Sequence, residues 1–374
     1  MTTRPPAEVG MPLEAVDTPA LLLDLDAFEK NLTRLAAAAA GAGVRLRPHA
    51  KSHKCPVIAL RQMASGAVGV CCQKVSEAEA MVYGGVSDVL VSNQIVGAPK
   101  IARLLSLAAQ ARVAVCADDA GNVAALDDAA TAFGVRLPVL VEVNVGADRC
   151  GVEPAEPALA LARQIAGSRG LRFAGLQAYH GGAQHIRDYA RRKEAIEAAA
   201  EKTRRTVELL RRHGLACELV SGAGTGTYPF EAASGVWNEL QAGSYIFMDA
   251  DYLKNLRQDG TPGSEFTPSL FVYATVMSRP AKDRAVLDAG LKALSVDSGM
   301  PSVAGMQDVE YLRASDEHGK LTLHDPGRAL PLGNKVRLIP GHCDPTVNMY
   351  DWYVCCRNDR VEALWPITAR GAVL

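Results

Sequence analysis

Charge of one sign, paired cysteines and long apolar runs are all scarce in this sequence. Its 374 residues carry 40 Lys and Arg against 41 Asp and Glu, so no broad basic surface is available to neutralise the phosphates of a nucleic acid. The nine cysteines show no CxxC spacing and no secreted framework, which indicates free thiols in a reducing cytoplasm. Neither a membrane-spanning stretch nor a signal peptide is evident. We therefore expect a soluble cytoplasmic protein that acts on small molecules, without nucleic-acid or membrane partners.

What the sequence does contain, between about residue 40 and 250, is an alternation of short apolar runs with Ala- and Leu-rich stretches of helical period. The eight strand candidates are 44–51, 67–74, 88–93, 112–119, 138–146, 172–182, 216–224 and 239–245. Eight β-then-α units over this length predict an α/β fold built on a (β/α)₈ TIM-like barrel. A doubly wound sheet is the alternative architecture.

The composition and pattern of the sequence change after residue 255. The stretch QDGTPGSEFTP is rich in Pro and Gly, and turns rather than long helices link the later strands, 270–280, 284–290, 335–341 and 352–357. The early run PALLLDLDAF precedes the first barrel strand and reads as a further strand of this region. We therefore predict a barrel over residues 25–255 and a mostly β domain formed by residues 1–24 and 256–374.

Lys51 is the first candidate for chemistry, because it follows the first barrel strand and active sites of such barrels lie at the C-terminal strand ends. Nearby Arg45, Arg47 and Lys54 would lower its pKa and leave a neutral amine able to form a Schiff base. A solvated loop lysine is the alternative. Since Arg45, Arg47, His49 and Lys51 alternate at period two, they are expected to share one polar face of the lumen.

Two further segments have the composition of binding sites. SGAGTGT, Ser221–Thr227, follows an apolar strand and is dense in backbone amides, which suits a phosphate cradle, and Gly243 and Ser244 could complete it. In PGHCDPTVNMYD, His342 and Asp344 would point together if the segment is extended, while Cys343 points away. An imidazole and a carboxylate suit a divalent cation, although a His–Asp pair closing a turn fits the same spacing.

Eight blocks of this chain, in order, resemble one known family. They are RPHAKSHK, GVCCQKVSEAEA, DRCGV, GLQAYHGGAQH, SGAGTGT, LQAGSYIFMDADY, DAGLK and PGHCDPTVNMYD. The resemblance is to the metal-activated D-threonine aldolases of the alanine racemase-like class of pyridoxal 5′-phosphate (PLP) enzymes. It implies a PLP-binding barrel, a C-terminal β domain and a homodimer.

The resemblance also assigns roles. It implies that Lys51 carries PLP, that Arg149 faces the pyridine nitrogen and that Tyr179 lines the pocket. The residues implied to hold the phosphate are Gly222, Gly224, Thr225, Gly243 and Ser244.

The implied reaction is a retro-aldol cleavage of a D-3-hydroxy amino acid to glycine and an aldehyde. His342 and Asp344 would bind a divalent metal (Mn²⁺, Mg²⁺ or Co²⁺) at the substrate's β-hydroxyl, and His185 would take the proton. His53 and His180 fit a structural role better than a catalytic one.

Three other functions remain open at this point. A 3-hydroxy-D-aspartate aldolase would release glycine and glyoxylate, and VDSGMPSV and HCDPTVNMYDWYV look at least as close to that subgroup. A dehydratase of D-serine or 3-hydroxyaspartate is the second, but its metal pair tends to be His-x-Cys where this chain has Asp344. A non-enzymatic PLP carrier is the third, and such proteins lack the C-terminal domain.

Overall fold

The computed structural model describes residues 4–374, so residues 1–3 of the predicted β domain lie outside the described part. Strands of two separate sheets account for most of the regular β structure. The strands within residues 4–374 are β1 Ala20–Asp24, β2 Arg45–Leu46, β3 Val70–Cys72, β4 Asp88–Gln94, β5 Arg112–Ala117, β6 Leu137–Glu142, β7 Leu171–Ala178, β8 Leu219–Gly222, β9 Glu239–Leu240, β10 Leu270–Ala281, β11 Arg284–Leu287, β12 Ser302–Val303, β13 Val309–Ala314, β14 Gly319–Leu323, β15 Lys335–Ile339, β16 Trp352–Arg357 and β17 Arg360–Pro366.

Helices alternate with strands β2 to β9, and after β9 the described residues contain one short α-helix, Cys343–Val347. Over the same described residues they are α1 Leu25–Gly41, α2 Pro56–Ala64, α3 Val75–Tyr83, α4 Ala98–Ala108, α5 Ala120–Phe133, α6 Glu156–Gly167, α7 Tyr189–Arg212, α8 Tyr228–Ala233 and α9 Cys343–Val347. Their ends carry the expected signals, since the Asp24 side chain accepts from the Ala27 amide at the start of α1 and Gly134 ends α5 in the left-handed region. None of the described helices has the length and apolar content needed to cross a membrane.

The first sheet is the predicted barrel. Its eight parallel strands run in the order β2-β9-β8-β7-β6-β5-β4-β3, and the two end strands approach each other through a bridge between His49 and Cys71. The eight predicted strands and the barrel-type fold class are therefore confirmed. Strand β2 is shorter than predicted, because the chain turns after it into a 3₁₀ turn at Ala50–Ser52 that carries Lys51.

The second sheet is mostly antiparallel and follows the order β13-β14-β11-β10-β1-β16-β17, with β15 joining β10 and β12. Strand β1 pairs antiparallel with β10 and parallel with β16, as expected for the PALLLDLDAF segment. Helix α1 packs beside this sheet, where the Phe28 ring meets the Trp365 ring edge-on at 5.8 Å. The short helix α9 follows β15 and lies against the turn that carries Lys51, which brings the C-terminal region to the mouth of the barrel.

Candidate active site

A cavity opens at the C-terminal ends of the barrel strands. Because parallel strands end at one rim, side chains far apart in sequence meet there. The predicted site residues that line the cavity are Lys51, Arg149, Tyr179, Gly224, Thr225, Gly243 and Ser244.

The Lys51 ammonium forms an ion pair with the Asp344 carboxylate from the C-terminal region. Burial lowers the pKa of Lys51, but Asp344 and Tyr179 outweigh it, so the net pKa is raised. The prediction of a lowered pKa is therefore wrong for the chain as described. The same pair, together with His342, holds the pKa of Asp344 well below its ordinary value despite burial.

The cations that were expected to lower this pKa are engaged elsewhere. Arg47 points toward the base of the lumen, where two carboxylates bind it, and Lys54 donates to Glu77 at 2.6 Å. Arg45 is exposed. The sequence places these charges near Lys51 along the chain, whereas folding pairs each of them away from its amine.

His49 lies directly before the Lys51 turn and lines the same cavity, although it is not among the predicted site residues. Its Nδ1 accepts from the Lys51 amide at 3.3 Å, and its Nε2 lies 3.0 Å from Gln73 Nε2. Burial lowers the pKa of His49 well below its ordinary value, and the neighbouring Lys51 adds to that effect. A neutral imidazole therefore supports the turn, and the period-two pattern of the first strand is the sequence signal that pointed to it.

The Gly-rich turn presents bare peptide groups to the cavity. A side chain on Gly224 would collide with the Gln184 amide, and a Cβ on Gly243 would lie 2.6 Å from Ser52 Oγ. The Thr225 hydroxyl is buried without a hydrogen-bond partner among residues 4–374. A cradle of amides with an unused hydroxyl fits the phosphate of PLP. Gly222 differs from the rest, because a Cβ there would collide with the Ala178 carbonyl of the adjacent strand, and it does not line the cavity.

Arg149 and Tyr179 reach the cavity from neighbouring strand exits. The Arg149 guanidinium lies over the Tyr179 ring, 5.7 Å from its centroid. Burial raises the pKa of Tyr179, while Lys51 and Arg149 act in the opposite direction. The phenol therefore stays a neutral hydrogen-bonding group near neutral pH.

His185 lies beside the cavity rather than on its wall. Its Nδ1 is 2.7 Å from Asp251 Oδ2, and its ring lies against that of Tyr252, which does line the cavity, at a centroid distance of 5.6 Å. Arg187 also binds Asp251; together Arg187 and His185 hold the pKa of that carboxyl below its ordinary value against the effect of burial. Asp251 is not among the predicted residues, although it falls within the block LQAGSYIFMDADY.

The structure corrects the geometry expected for His342 and Asp344. His342 is extended, but helix α9 begins directly after it, so Asp344 lies in a first helical turn rather than on a strand. His342 Nδ1 is 2.8 Å from Asp297 Oδ2, which leaves Nε2 as the imidazole atom for coordination. Among residues 4–374 no group of three or more His, Cys, Asp or Glu side chains is arranged to hold a metal. An imidazole and a carboxylate still fit a divalent cation whose other ligands are water and substrate.

Known proteins match both the barrel and the C-terminal region of this chain. Residues 23–251 match the family model described as alanine racemase, N-terminal domain, and residues 269–356 match a serine dehydratase domain. The chain is 49% identical to D-threonine aldolase from Arthrobacter sp, covering 98% of this chain and 96% of the relative. It is 47% identical to 3-hydroxy-D-aspartate aldolase from Paracoccus denitrificans (strain Pd 1222), covering 98% and 95%.

A solved structure shows the same similarity in three dimensions. D-threonine aldolase from Filomicrobium marinum superposes with a TM-score of 0.96 at 52% identity, covering 99% of this chain and 100% of that one. Both domains of the fold are therefore shared. The chain belongs to the alanine racemase-like, fold type III family of PLP enzymes, and D-threonine aldolase and 3-hydroxy-D-aspartate aldolase are among its close homologues.

Proposed function

We propose that this chain is a PLP- and divalent-metal-dependent aldolase, a carbon–carbon lyase that cleaves D-3-hydroxy amino acids to glycine and an aldehyde, with D-threonine as its leading substrate. The observation that carries the proposal is the ion pair between Lys51, which lines the cavity, and Asp344. An amine suited to a carbonyl cofactor and a carboxylate suited to a cation approach each other there from different domains. The family membership supports the same reaction class.

PLP would be held by Lys51 and by the amides around Gly224, Thr225, Gly243 and Ser244. When bound, it supplies an electron sink for the negative charge left at Cα as the Cα–Cβ bond breaks. Arg149 facing the pyridine nitrogen remains a prediction of the family resemblance. A guanidinium in that place would donate a hydrogen bond but keep its proton.

His185 is proposed to take the proton of the substrate's β-hydroxyl. Its Nδ1 is engaged by Asp251, so Nε2 is the atom available to accept that proton. The carboxylate fixes the ring orientation and stabilises the imidazolium that results. His342 and Asp344 would hold the metal, and a divalent cation lowers the pKa of an alcohol that it binds.

The distal group of the substrate divides two close candidates. The Paracoccus relative is a 3-hydroxy-D-aspartate aldolase with an identity only slightly below that of the threonine enzyme, so hydroxyaspartate is the second candidate. A dehydratase is a weaker third, because Asp344 stands where those enzymes tend to carry cysteine.

We also propose that the chain divides into a barrel of residues 25–255 and a β domain of residues 1–24 and 256–374, and that it forms a homodimer in the cytoplasm. The nine free cysteines support a reducing compartment.

The experiment that tests the proposed function measures products from purified, PLP-loaded protein, with and without EDTA, on D-threonine, D-3-hydroxyaspartate and D-serine. Metal-dependent release of acetaldehyde from D-threonine is the expected result. Preferential release of glyoxylate would move the function to the hydroxyaspartate subgroup. Pyruvate from D-serine, or activity indifferent to EDTA, would contradict the roles proposed for His342 and Asp344.

A further inference from the structure

We propose that Ser221 and Glu239 are positioning residues that fix the orientation of an amide pair, Gln177 and Gln241, at the floor of the cavity. The inference rests on the proposed function, because it takes this cavity as the PLP pocket. It links Glu239, which Arg47 binds at the base of the barrel, through Ser221 to the two amides that face the cofactor.

The two glutamines are buried, line the cavity and bond to each other twice. Gln177 Nε2 donates to Gln241 Oε1 at 2.9 Å, and Gln241 Nε2 donates to Gln177 Oε1 at 2.8 Å. Such a reciprocal pair is satisfied equally well if both amides are turned over together. A hydrogen bond to a third residue is therefore needed to favour one of the two orientations.

Ser221 and Glu239 form the hydrogen bonds that favour one orientation of the pair. Glu239 is fully buried, and its Oε1 accepts from Arg47 Nε at 3.0 Å and from Ser221 Oγ at 2.8 Å. A carboxylate held by a guanidinium only accepts hydrogen bonds, so the single Ser221 proton is committed to it. The Ser221 oxygen must then accept from Gln241, 2.8 Å away, and the group of Gln241 that faces it must be the NH₂.

The orientation of the whole floor follows from this one constraint. Both N–H groups of Gln241 are used, one by Ser221 and one by Gln177. The groups left for the cavity are one N–H of Gln177 and the second lone pairs of the two carbonyl oxygens. If the pair were turned over, the Gln241 oxygen would face a serine oxygen with no proton to give. The acceptor oxygen of Glu239 thus sets which donors and acceptors meet the cofactor.

The chain offers a matched control at the same cation. Arg47 NH1 also donates to Asp88 at 2.6 Å, and Arg112 binds the other oxygen of that carboxylate at 3.0 Å. Asp88 has no hydrogen bond to Ser221, Gln241 or Gln177 among the bonds of residues 4–374. Replacing it alters an ion pair of Arg47 while leaving the constraint on the amide pair in place.

The test compares Ser221→Ala, Glu239→Leu and Asp88→Asn by titrating each folded protein with PLP and recording the visible spectrum of the bound cofactor as a function of pH. Ser221→Ala and Glu239→Leu, which has no oxygen to accept the Ser221 proton, should bind PLP about three- to tenfold more weakly, the range for one hydrogen bond, with an altered pH dependence of the spectrum. Asp88→Asn should match wild type in both. Thermal unfolding is followed separately, so a loss of stability alone is not counted as support.

Wild-type affinity and spectrum in Ser221→Ala, or in a folded Glu239→Leu, would overturn the inference and leave the proposed function intact. Equal changes in Asp88→Asn would also overturn it, because a general effect of Arg47 would then explain them. If Glu239→Leu does not fold, Ser221→Ala decides alone, since it removes only a hydroxyl. Failure of the wild-type protein to bind PLP would overturn both proposals.

Discussion

Arg47 and Lys51 follow each other closely along the chain, yet the barrel uses them in opposite ways. At the base of the lumen the Arg47 side chain is 8% exposed and lies between Glu239 and Asp88. At the mouth the Lys51 side chain is 39% exposed and faces one carboxylate, Asp344. A cation enclosed by two carboxylates is a fixed part of the fold. A cation with one partner and an open side can exchange that partner for a ligand.

Two buried carboxyl groups extend the same comparison. Glu239 has Arg47 as a partner, whereas Glu231, behind the Gly-rich turn, accepts from the Thr227 hydroxyl at 2.7 Å and has no cationic partner among residues 4–374. Burial without a cation raises the pKa of Glu231 to about 7. The base of the barrel therefore holds charge by pairing it, and the region behind the cradle holds a carboxyl group that burial disfavours as an anion.

The largest effect is expected at Lys51. Lys51→Ala should lower aldolase activity by at least about 1,000-fold, because it removes the amine that holds PLP. Lys51→Arg is the matched control, since it keeps a cation beside Asp344 but has no amine that adds to a carbonyl. Steady-state kinetics with excess PLP should find both variants equally inactive. Substantial activity in Lys51→Arg would mean that the reaction needs a positive charge at this position rather than covalent attachment of PLP.

The next effect concerns stability at the base. Arg47→Met should reduce the free energy of unfolding by about 3–5 kcal/mol, because it leaves the buried Glu239 carboxylate without its cation. Urea denaturation measures this change. Combining it with Glu239→Gln should recover part of the loss, since an amide is cheaper to bury than an unpaired carboxylate. Unchanged stability in Arg47→Met would mean that the Arg47 ion pairs at the base are not a structural part of the fold.

A smaller effect, with a defined pH dependence, is expected for Glu231. Its pKa is raised from the ordinary 4.5 to about 7, so the folded state binds more protons than the unfolded state between these values. Stability should therefore fall as pH rises through that window. Glu231→Gln removes this titration, so its stability relative to wild type should improve by about 2 kcal/mol from pH 5 to pH 8. A constant difference across this range would show that Glu231 is not buried as an acid.

The smallest effect is expected at Asp251, which acts through His185. Asp251→Asn should lower kcat about tenfold with little change in KM, because the imidazole keeps its place but loses the carboxylate that orients it. The double variant with His185→Ala is the control. If Asp251 acts through the histidine, its replacement should cost nothing further in that background. Additive losses would instead indicate an independent role for Asp251.

Local pattern was enough to predict most of the fold. The eight barrel strands could be read from apolar runs ending in polar residues, and β1 could be assigned to the second sheet because it precedes the first barrel strand, although a helix, α1, does follow it. These features depend on neighbours in sequence. The length of β2 was overestimated, because the 3₁₀ turn at Ala50–Ser52 interrupts a pattern that still alternates.

The errors at the site came from contacts that are distant in sequence. The pKa of Lys51 depends on Asp344, which lies in the other domain, and the local cations that suggested the opposite shift have partners of their own. The helical turn that contains Asp344 had a local signal, since Pro345 favours the first turn of a helix. Asp251 and Asp297 had none beyond lying in blocks shared with the family, because only the folded chain brings them to His185 and His342.

Lys51 as the covalent attachment point of PLP is the central claim, and reductive trapping tests it most directly. The PLP-loaded protein is reduced with borohydride, digested, and the phosphopyridoxyl group is located by peptide mass spectrometry. We expect the label to lie on Lys51 and to be absent from that peptide in Lys51→Arg. A label found stoichiometrically on another lysine, with Lys51 unmodified, would contradict the claim.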